Sequence, residues 1–284
     1  MSRVAYVNGR YLPHRLARVH VEDRGFQFAD AVYEVIAIRR GAFVDEDRHL
    51  ERLTRSRSVL ALTAPMSETA LKLVIRETVR RNRVTDGIVY LQLSRGAAPR
   101  DFAFPAHTRP SLVITVRGMR IADPSLIAAG VGVITVADQR WKRPDVKSVS
   151  LLPNVLAKQR AIEAGAYEAW QVDAQGYVSE GTSSNAWIVS AADEVITRQA
   201  DTSILKGITR MAVFDILARE GVRLVERPFS VAEAKAAREA MLTSATNGVL
   251  PVVRIDGAPV GDGRPGPLAL RLAAAYRAFM ENAA

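Results

Sequence analysis

Only six of the 39 basic residues are lysines, at positions 72, 142, 147, 158, 206 and 235, so the candidates for a reactive amine are few. Lys147 follows an extended stretch in Asp145-Val-Lys147-Ser-Val-Ser-Leu-Leu-Pro-Asn and sits close in sequence to Arg140, Lys142 and Arg143. Neighbouring positive charge and partial burial lower an amine's pKa and free it to form a Schiff base with an aldehyde. Glu180 ends a short apolar stretch in Ser179-Glu180-Gly-Thr-Ser-Ser-Asn185, and a buried carboxylate can keep a ring nitrogen protonated. By spacing alone a surface lysine paired with Asp145 explains the first segment slightly better. Glu180 is equally readable as a capping or surface acid.

Three further groups suit an anion. Gly207-Ile208-Thr209 opens a helix, where free backbone N–H groups, the positive dipole end and the Thr209 hydroxyl suit a phosphate, although a simple helix cap is the commoner use. Thr243-Ser244-Ala245-Thr246-Asn247-Gly248 is a small polar turn after a strand. Arg52, on a helix, can grip a phosphate bidentately, although a lone helical arginine is usually solvated. Lys72, Lys158 and Lys235 fall within helices and Lys206 in a turn. The histidines at 14, 20, 49 and 107 have no metal-ligand spacing, and the chain has neither a Walker loop nor a G-x-G-x-x-G run.

The elements that carry these residues follow from periodicity. Asn8-Gly9 turns a hairpin over 4–11 and Arg40-Gly41 a second over 32–44. Helical spacing covers 46–60, with Leu50, Leu53 and Leu60 on its apolar side. It also covers a helix started by Ser67, with Leu71, Val74, Ile75 and Val79 inward. Strands are expected at 87–94 and 111–116, a linker at 117–124, and strands at 131–137, 168–172, 177–180, 185–189, 195–197, 223–225, 240–243 and 249–255. Further helices are expected from Pro153 to about 164, from near Thr209 to before Gly221, and from about Pro267 to the end. This is an α+β or α/β chain in two domains, 1–118 and 125–284, the second carrying Lys147 and the phosphate turns.

The 284 residues are 48% hydrophobic and 24% charged, an ordinary globular composition. No cysteine is present, which excludes disulfides, thiolate metal sites and a cysteine nucleophile and suits a reducing compartment. No secretory signal and no run of about 20 apolar residues is seen, so a cytoplasmic location is expected. The net charge of +9 is spread along the chain without aromatic interleaving, which argues against nucleic-acid binding.

Taken in order, these residues resemble the fold-type IV pyridoxal phosphate enzymes, and most closely the D-amino-acid aminotransferases. The likeness runs from about Tyr6 to the C-terminal helix. It is carried by Glu22-Asp-Arg-Gly-Phe-Gln-Phe-Ala-Asp30 with Ala31-Val-Tyr33-Glu-Val35, His49-Leu-Glu-Arg52-Leu53, Arg95-Gly-Ala-Ala-Pro-Arg100, the lysine and glutamate runs, Ile204-Leu-Lys-Gly-Ile-Thr-Arg210 and Thr243-Ser-Ala-Thr246.

The resemblance implies pyridoxal 5'-phosphate between two domains, Lys147 as Schiff-base lysine and proton carrier, and Glu180 at the pyridine nitrogen. It places Arg52, Ile208, Thr209, Ser244 and Ala245 at the phosphate, Leu205 against the ring, and Arg140 in support of the cofactor. Tyr33 and Arg100 would bind the substrate carboxylate, and a homodimer would share active sites across its interface. No metal, nucleic acid or membrane is implied; the small-molecule partners are amino acids and keto acids. Two departures stand out. The family's Arg-x-His reads Arg100-Asp101-Phe102 here, and Ala245 stands where a threonine is usual. The expected reaction moves the amino group of a D-amino acid to pyruvate or 2-oxoglutarate. An (R)-amine or L-branched-chain aminotransferase and an aminodeoxychorismate lyase are the alternatives, and Phe102, as an apolar wall, suits the amine.

Overall fold

A computed structural model describes residues 3–282. They form two compact units. One runs to Ile121 and takes in Val146–Ser150; the other comprises Ala122–Asp145 and Leu151–Asn282.

The first unit is an antiparallel sheet with helices. Its elements are β1 (Val4–Val7), β2 (Arg10–Pro13), α1 (Arg24–Phe28), β3 (Ala31–Arg39), β4 (Ala42–Phe43), α2 (Glu46–Val59), α3 (Glu68–Asn82), β5 (Gly87–Ser94) and β6 (Ser111–Gly118). The sheet order is β2-β1-β6-β5-β3-β4. Asn8 and Gly9 both adopt positive φ, 47° and 91°, the backbone a tight two-residue hairpin needs. Ser67 caps α3 by accepting from the Ala70 N–H at 3.3 Å. The core joins Val32, Ile36 and Ile38 of β3 to Leu50 and Leu53 of α2 and Leu71, Ile75 and Val79 of α3. Period-two alternation on the strand and 3.6-residue spacing on the helices bring these side chains to one layer.

The second unit holds α4 (Pro124–Ala129), β7 (Val131–Ala137), α5 (Leu152–Glu163), β8 (Glu168–Val172), β9 (Val178–Gly181), β10 (Asn185–Val189), β11 (Val195–Thr197), α6 (Ile208–Arg219), β12 (Leu224–Glu226), α7 (Val231–Lys235), β13 (Glu239–Ser244), β14 (Gly248–Ile255), β15 (Ala258–Pro259) and α8 (Pro267–Asn282). Eight strands run in the order β12-β11-β10-β13-β14-β7-β8-β9, and β15 pairs with β14. The β11–β12, β7–β14 and β7–β8 pairings are parallel. β8, β10 and β11 are buried almost throughout, which is why they read as unbroken apolar runs rather than alternation. None of the helices among the described residues is long and apolar enough to cross a membrane.

One expectation needs correction. The lysine segment does not group with the C-terminal part of the chain. Val146–Ser150 clusters with the first unit, because Lys147 accepts from the Tyr33 N–H at 3.0 Å and Ser148 bridges to Val32. Backbone pairing across more than a hundred residues leaves no periodicity in a five-residue segment. The expected linker at 117–124 contains the division between the units, which falls after Ile121, with β6 ending at Gly118 and Pro124 opening α4. Asp123 caps that helix by accepting from the Ser125 N–H at 3.0 Å, with proline at its first turn.

Candidate active site

The residues singled out from the sequence fall into two groups, one in each unit. In the first unit, the Lys147 segment lies beside β3 and α2. Its carbonyl accepts from the Tyr33 N–H, and its own N–H donates to the hydroxyl of Ser56, buried on α2, at 3.2 Å. The backbone of the lysine is thus held on two sides. Its Nζ stands 4.2 Å from the centroid of the Tyr33 ring and makes no ion pair among the described residues. An amine in contact with an aromatic face but without a carboxylate partner stays available as a nucleophile.

Next to it, Glu34 is fully buried and organises two basic groups. Arg52 donates from Nε to one carboxylate oxygen at 2.7 Å and from Nη2 to the other at 2.8 Å. His49 lies 2.8 Å from the same carboxylate through Nδ1; an ionised carboxylate only accepts, so Nδ1–H donates. Burial alone would push the Glu34 acid up, but the Arg52 charge and the Arg52 and His49 hydrogen bonds hold it far below the usual carboxylate range. Burial pushes His49 below its ordinary value, with the Glu34 bond opposing and the charges of Arg52 and Lys147 assisting. The i, i+3 spacing of His49 and Arg52 on α2 points both at strand β3, where Glu34 faces inward. Tyr33 points to the opposite face of the strand and packs 5.7 Å from Tyr90, whose phenol is pushed up to about 12 by burial and by Tyr33.

In the second unit, Glu180 lies on β9 with 6% of its surface exposed. Arg140 Nη1 donates to it in a close contact, Asn185 Nδ2 donates at 3.0 Å, and the Leu205 N–H reaches both oxygens at 3.1 and 3.2 Å. Arg140 also grips Asp138, from Nε at 2.9 Å and from Nη2 at 2.6 Å, and Asp138 accepts from the Ser179 hydroxyl at 2.7 Å. Burial works against the Arg140 charge, but Asp138 and Glu180 together raise its pKa further. A guanidinium between two carboxylates, with backbone donors added, fixes Glu180 in its ionised form.

The turn between Glu180 and Asn185 is braced from below. Glu168, 1% exposed, accepts from the hydroxyls of Thr182, Ser183 and Ser184. Asn185 then spans Glu180 and the Leu205 carbonyl, the latter at 3.0 Å. A Cβ on Gly207 would meet the Asn185 side-chain oxygen at 2.1 Å, so any larger residue there would have to displace the amide that bonds Glu180 and Leu205. That helix starts without a side-chain cap, which leaves its first-turn N–H groups, Ile208 and Thr209 among them, open to an anion. The Thr209 hydroxyl lies 3.3 Å from that of Tyr276. The Ser244–Thr246 turn is ordered by the Ser244 hydroxyl, which accepts from the Asn247 N–H at 3.2 Å.

Arg100 and Phe102, in the first unit, stand together beside Phe28 on the loop after β5. The guanidinium lies 4.8 Å from the Phe28 centroid and 5.8 Å from that of Phe102. The sequence singled out the candidate residues placed above. It missed Glu34, Ser56, Asp138 and Glu168, which act only through a neighbour. Glu34 carries the one usable signal, a charged residue in a strand whose other inward positions are apolar.

The donor set fits pyridoxal phosphate: an amine without an ion pair, a fixed buried carboxylate, and a helix start with uncapped N–H groups. The comparisons agree. The model of the amino-transferase class IV family matches residues 31–255, so the chain belongs to the class IV aminotransferases, enzymes that depend on pyridoxal phosphate. It is 41% identical over 262 residues to a D-alanine aminotransferase of Bacillus licheniformis, covering 92% of this chain and 91% of that protein. It is 34% identical to the D-alanine aminotransferase of Staphylococcus haemolyticus, covering 99% of both. Among solved structures, it matches the T.th. branched-chain amino acid aminotransferase with pyridoxamine 5'-phosphate with a TM-score of 0.94 at 24% identity, covering 100% of this chain and 96% of that one. The same enzyme complexed with N-(5'-phosphopyridoxyl)-L-glutamate matches with a TM-score of 0.92 at 25% identity, over the same shares of both chains. The fold is that of the fold-type IV aminotransferases.

Proposed function

We propose that this aminotransferase takes the amino group of a D-amino acid such as D-alanine and passes it to a 2-keto acid, pyruvate or 2-oxoglutarate. The observation that carries the reading is similarity over nine-tenths or more of the chain to several D-alanine aminotransferases, in a protein whose own Lys147 and Glu180 have the required chemistry. When bound, pyridoxal phosphate supplies an aldehyde for the donor's nitrogen and a ring that spreads the charge left at Cα. Lys147 Nζ would be the residue that carries the aldehyde of the group, and its amine would take the proton from the donor's Cα. Its two backbone hydrogen bonds keep the chain still while the side chain changes partners. Glu180, held ionised by Arg140, Asn185 and Leu205, keeps a ring nitrogen protonated. Arg52, the α6 N–H groups of Ile208 and Thr209, and the Ser244-Ala245 turn would hold the phosphate, and Leu205 would pack on the ring. Arg100 and Tyr33 bind the donor's carboxylate.

The assembly belongs to the same proposal. Leu152, Val155, Leu156 and Ile162 of α5 are 69%, 59%, 51% and 58% exposed at helical spacing, an apolar stripe of the kind a second copy covers. The protein is read as a cytoplasmic homodimer whose subunits complete each other's carboxylate site. The absence of cysteine suits that compartment.

The test is the visible spectrum of the purified holoenzyme before and after addition of D-alanine. Conversion of the yellow form to the pyridoxamine form supports the reading. Conversion by L-leucine but not by D-alanine would transfer the assignment to an L-branched-chain aminotransferase, the activity named in the structural relatives.

A further inference from the structure

Among the described residues, no hydrogen bond or ion pair involves Arg100. Its guanidinium is held by rings alone, 4.8 Å from the centroid of Phe28 and 5.8 Å from that of Phe102. The two rings lie 5.5 Å apart with planes at 49°. A second guanidinium, Arg24, sits 4.8 Å from the same Phe28 ring. Arg24 is itself anchored, donating from Nε to Asp30 at 2.9 Å and from Nη1 to the Asp101 carbonyl at 2.5 Å. The loop is pinned further by Arg95, which donates to Asp30 at 2.7 Å and stacks 3.7 Å from the Phe104 ring. Phe102 is nevertheless 81% exposed, so core packing does not explain where its ring stands.

A guanidinium attracted to an aromatic face keeps its in-plane N–H donors pointing outward. Hydrogen-bonded support would consume some of those donors, whereas stacking consumes none. We propose that Phe28 and Phe102 are positioning residues for Arg100, which hold its guanidinium by their ring faces so that its donors remain available to the carboxylate of the amino-acid donor. The proposal rests on the reading that Arg100 binds that carboxylate. It changes the meaning of the Phe102 departure. The ring stands beside the arginine as its support, and the site selects substrates that carry a carboxylate over simple amines.

The experiment measures binding of propionate, a carboxylate without an amino group, to the holoenzyme by calorimetry, together with steady-state kinetics with D-alanine. Phe28→Leu and Phe102→Leu are expected to weaken propionate binding and raise KM for D-alanine roughly three- to tenfold, with a smaller change in kcat. Phe28→Tyr and Phe102→Tyr, which keep a ring, are expected to bind propionate as the unaltered enzyme does. In an Arg100→Ala background the leucine substitutions should add nothing further. The proposal is overturned if the leucine variants bind propionate normally, if the tyrosine variants lose as much as the leucine ones, or if the effects persist without Arg100. Because propionate binding is read without turnover, an enzyme that binds propionate as described but ignores D-alanine would refute the assigned reaction and leave this inference standing.

Discussion

The two units solve one problem in opposite ways. In the first, a buried carboxylate, Glu34, orients basic groups, Arg52 and His49. In the second, a buried guanidinium, Arg140, orients an acid, Glu180, with Asp138 behind it. In both places the residue assigned to the cofactor is the outer member of a pair, and the inner member fixes its direction and charge. Lys147 follows neither pattern: only its backbone is held, and its amine has no ion pair among the described residues. The amine proposed to change partners has no ion pair, whereas the groups proposed to present constant charge are held by several bonds.

Substitution of Lys147 is the strongest test of that contrast. Lys147→Ala should abolish the yellow band and lower single-turnover conversion by at least about a thousandfold, with thermal stability little changed, since the side chain contributes no ion pair. Loss of stability in step with activity would show the lysine to be structural after all.

The opposite outcome is expected at Glu34. Glu34→Gln strips a buried guanidinium of its charge partner and should cost about 3–5 kcal/mol of unfolding free energy by denaturant titration. The pH dependence follows from the same group. Its folded-state pKa lies below the unfolded value of about 4.3, so its stabilisation is complete above that value and is lost as pH falls below it. His49, pushed down by burial, acts in the same direction. Its contribution is complete above about 6.5 and declines as pH falls below that, because the unfolded chain takes up the proton first. The midpoint of unfolding should therefore fall on acidification from neutral pH, and less so in the Glu34→Gln variant at the acidic end.

Glu180→Gln keeps most of the shape of the second cluster and removes its charge. The expected result is a fall in kcat of roughly a hundred- to a thousandfold, with the phosphate still bound and the spectrum altered. An unchanged kcat would break the parallel between the two clusters. The smallest effect belongs to the phosphate turn. Ala245→Thr adds one neutral hydroxyl, and cofactor affinity measured by dialysis and reconstitution should tighten by roughly 0.5–1.5 kcal/mol.

Local chemistry was legible where one residue sufficed. The Asn8-Gly9 hairpin, the Ser67 cap and the helix opening at Gly207-Ile208-Thr209 follow from residue type and spacing, and Lys147, Glu180, Arg52 and Arg100 are candidates on family likeness. Boundaries failed where tertiary contact decided them. Five residues around Lys147 join the first unit through bonds to Tyr33 and Ser56, and α1, α4 and α7, each of five or six residues, are too short to leave a period.

The sequence by itself determined the family and the type of cofactor, because these depend on which chemical groups are present and in what order. Only the tertiary structure decided which groups are held and which are left free. It showed Arg52 bound to Glu34, Glu180 under Arg140, and Phe28 and Phe102 against Arg100. Burial, charge pairing and ring stacking join residues tens of positions apart, and no local pattern in the chain encodes those distances.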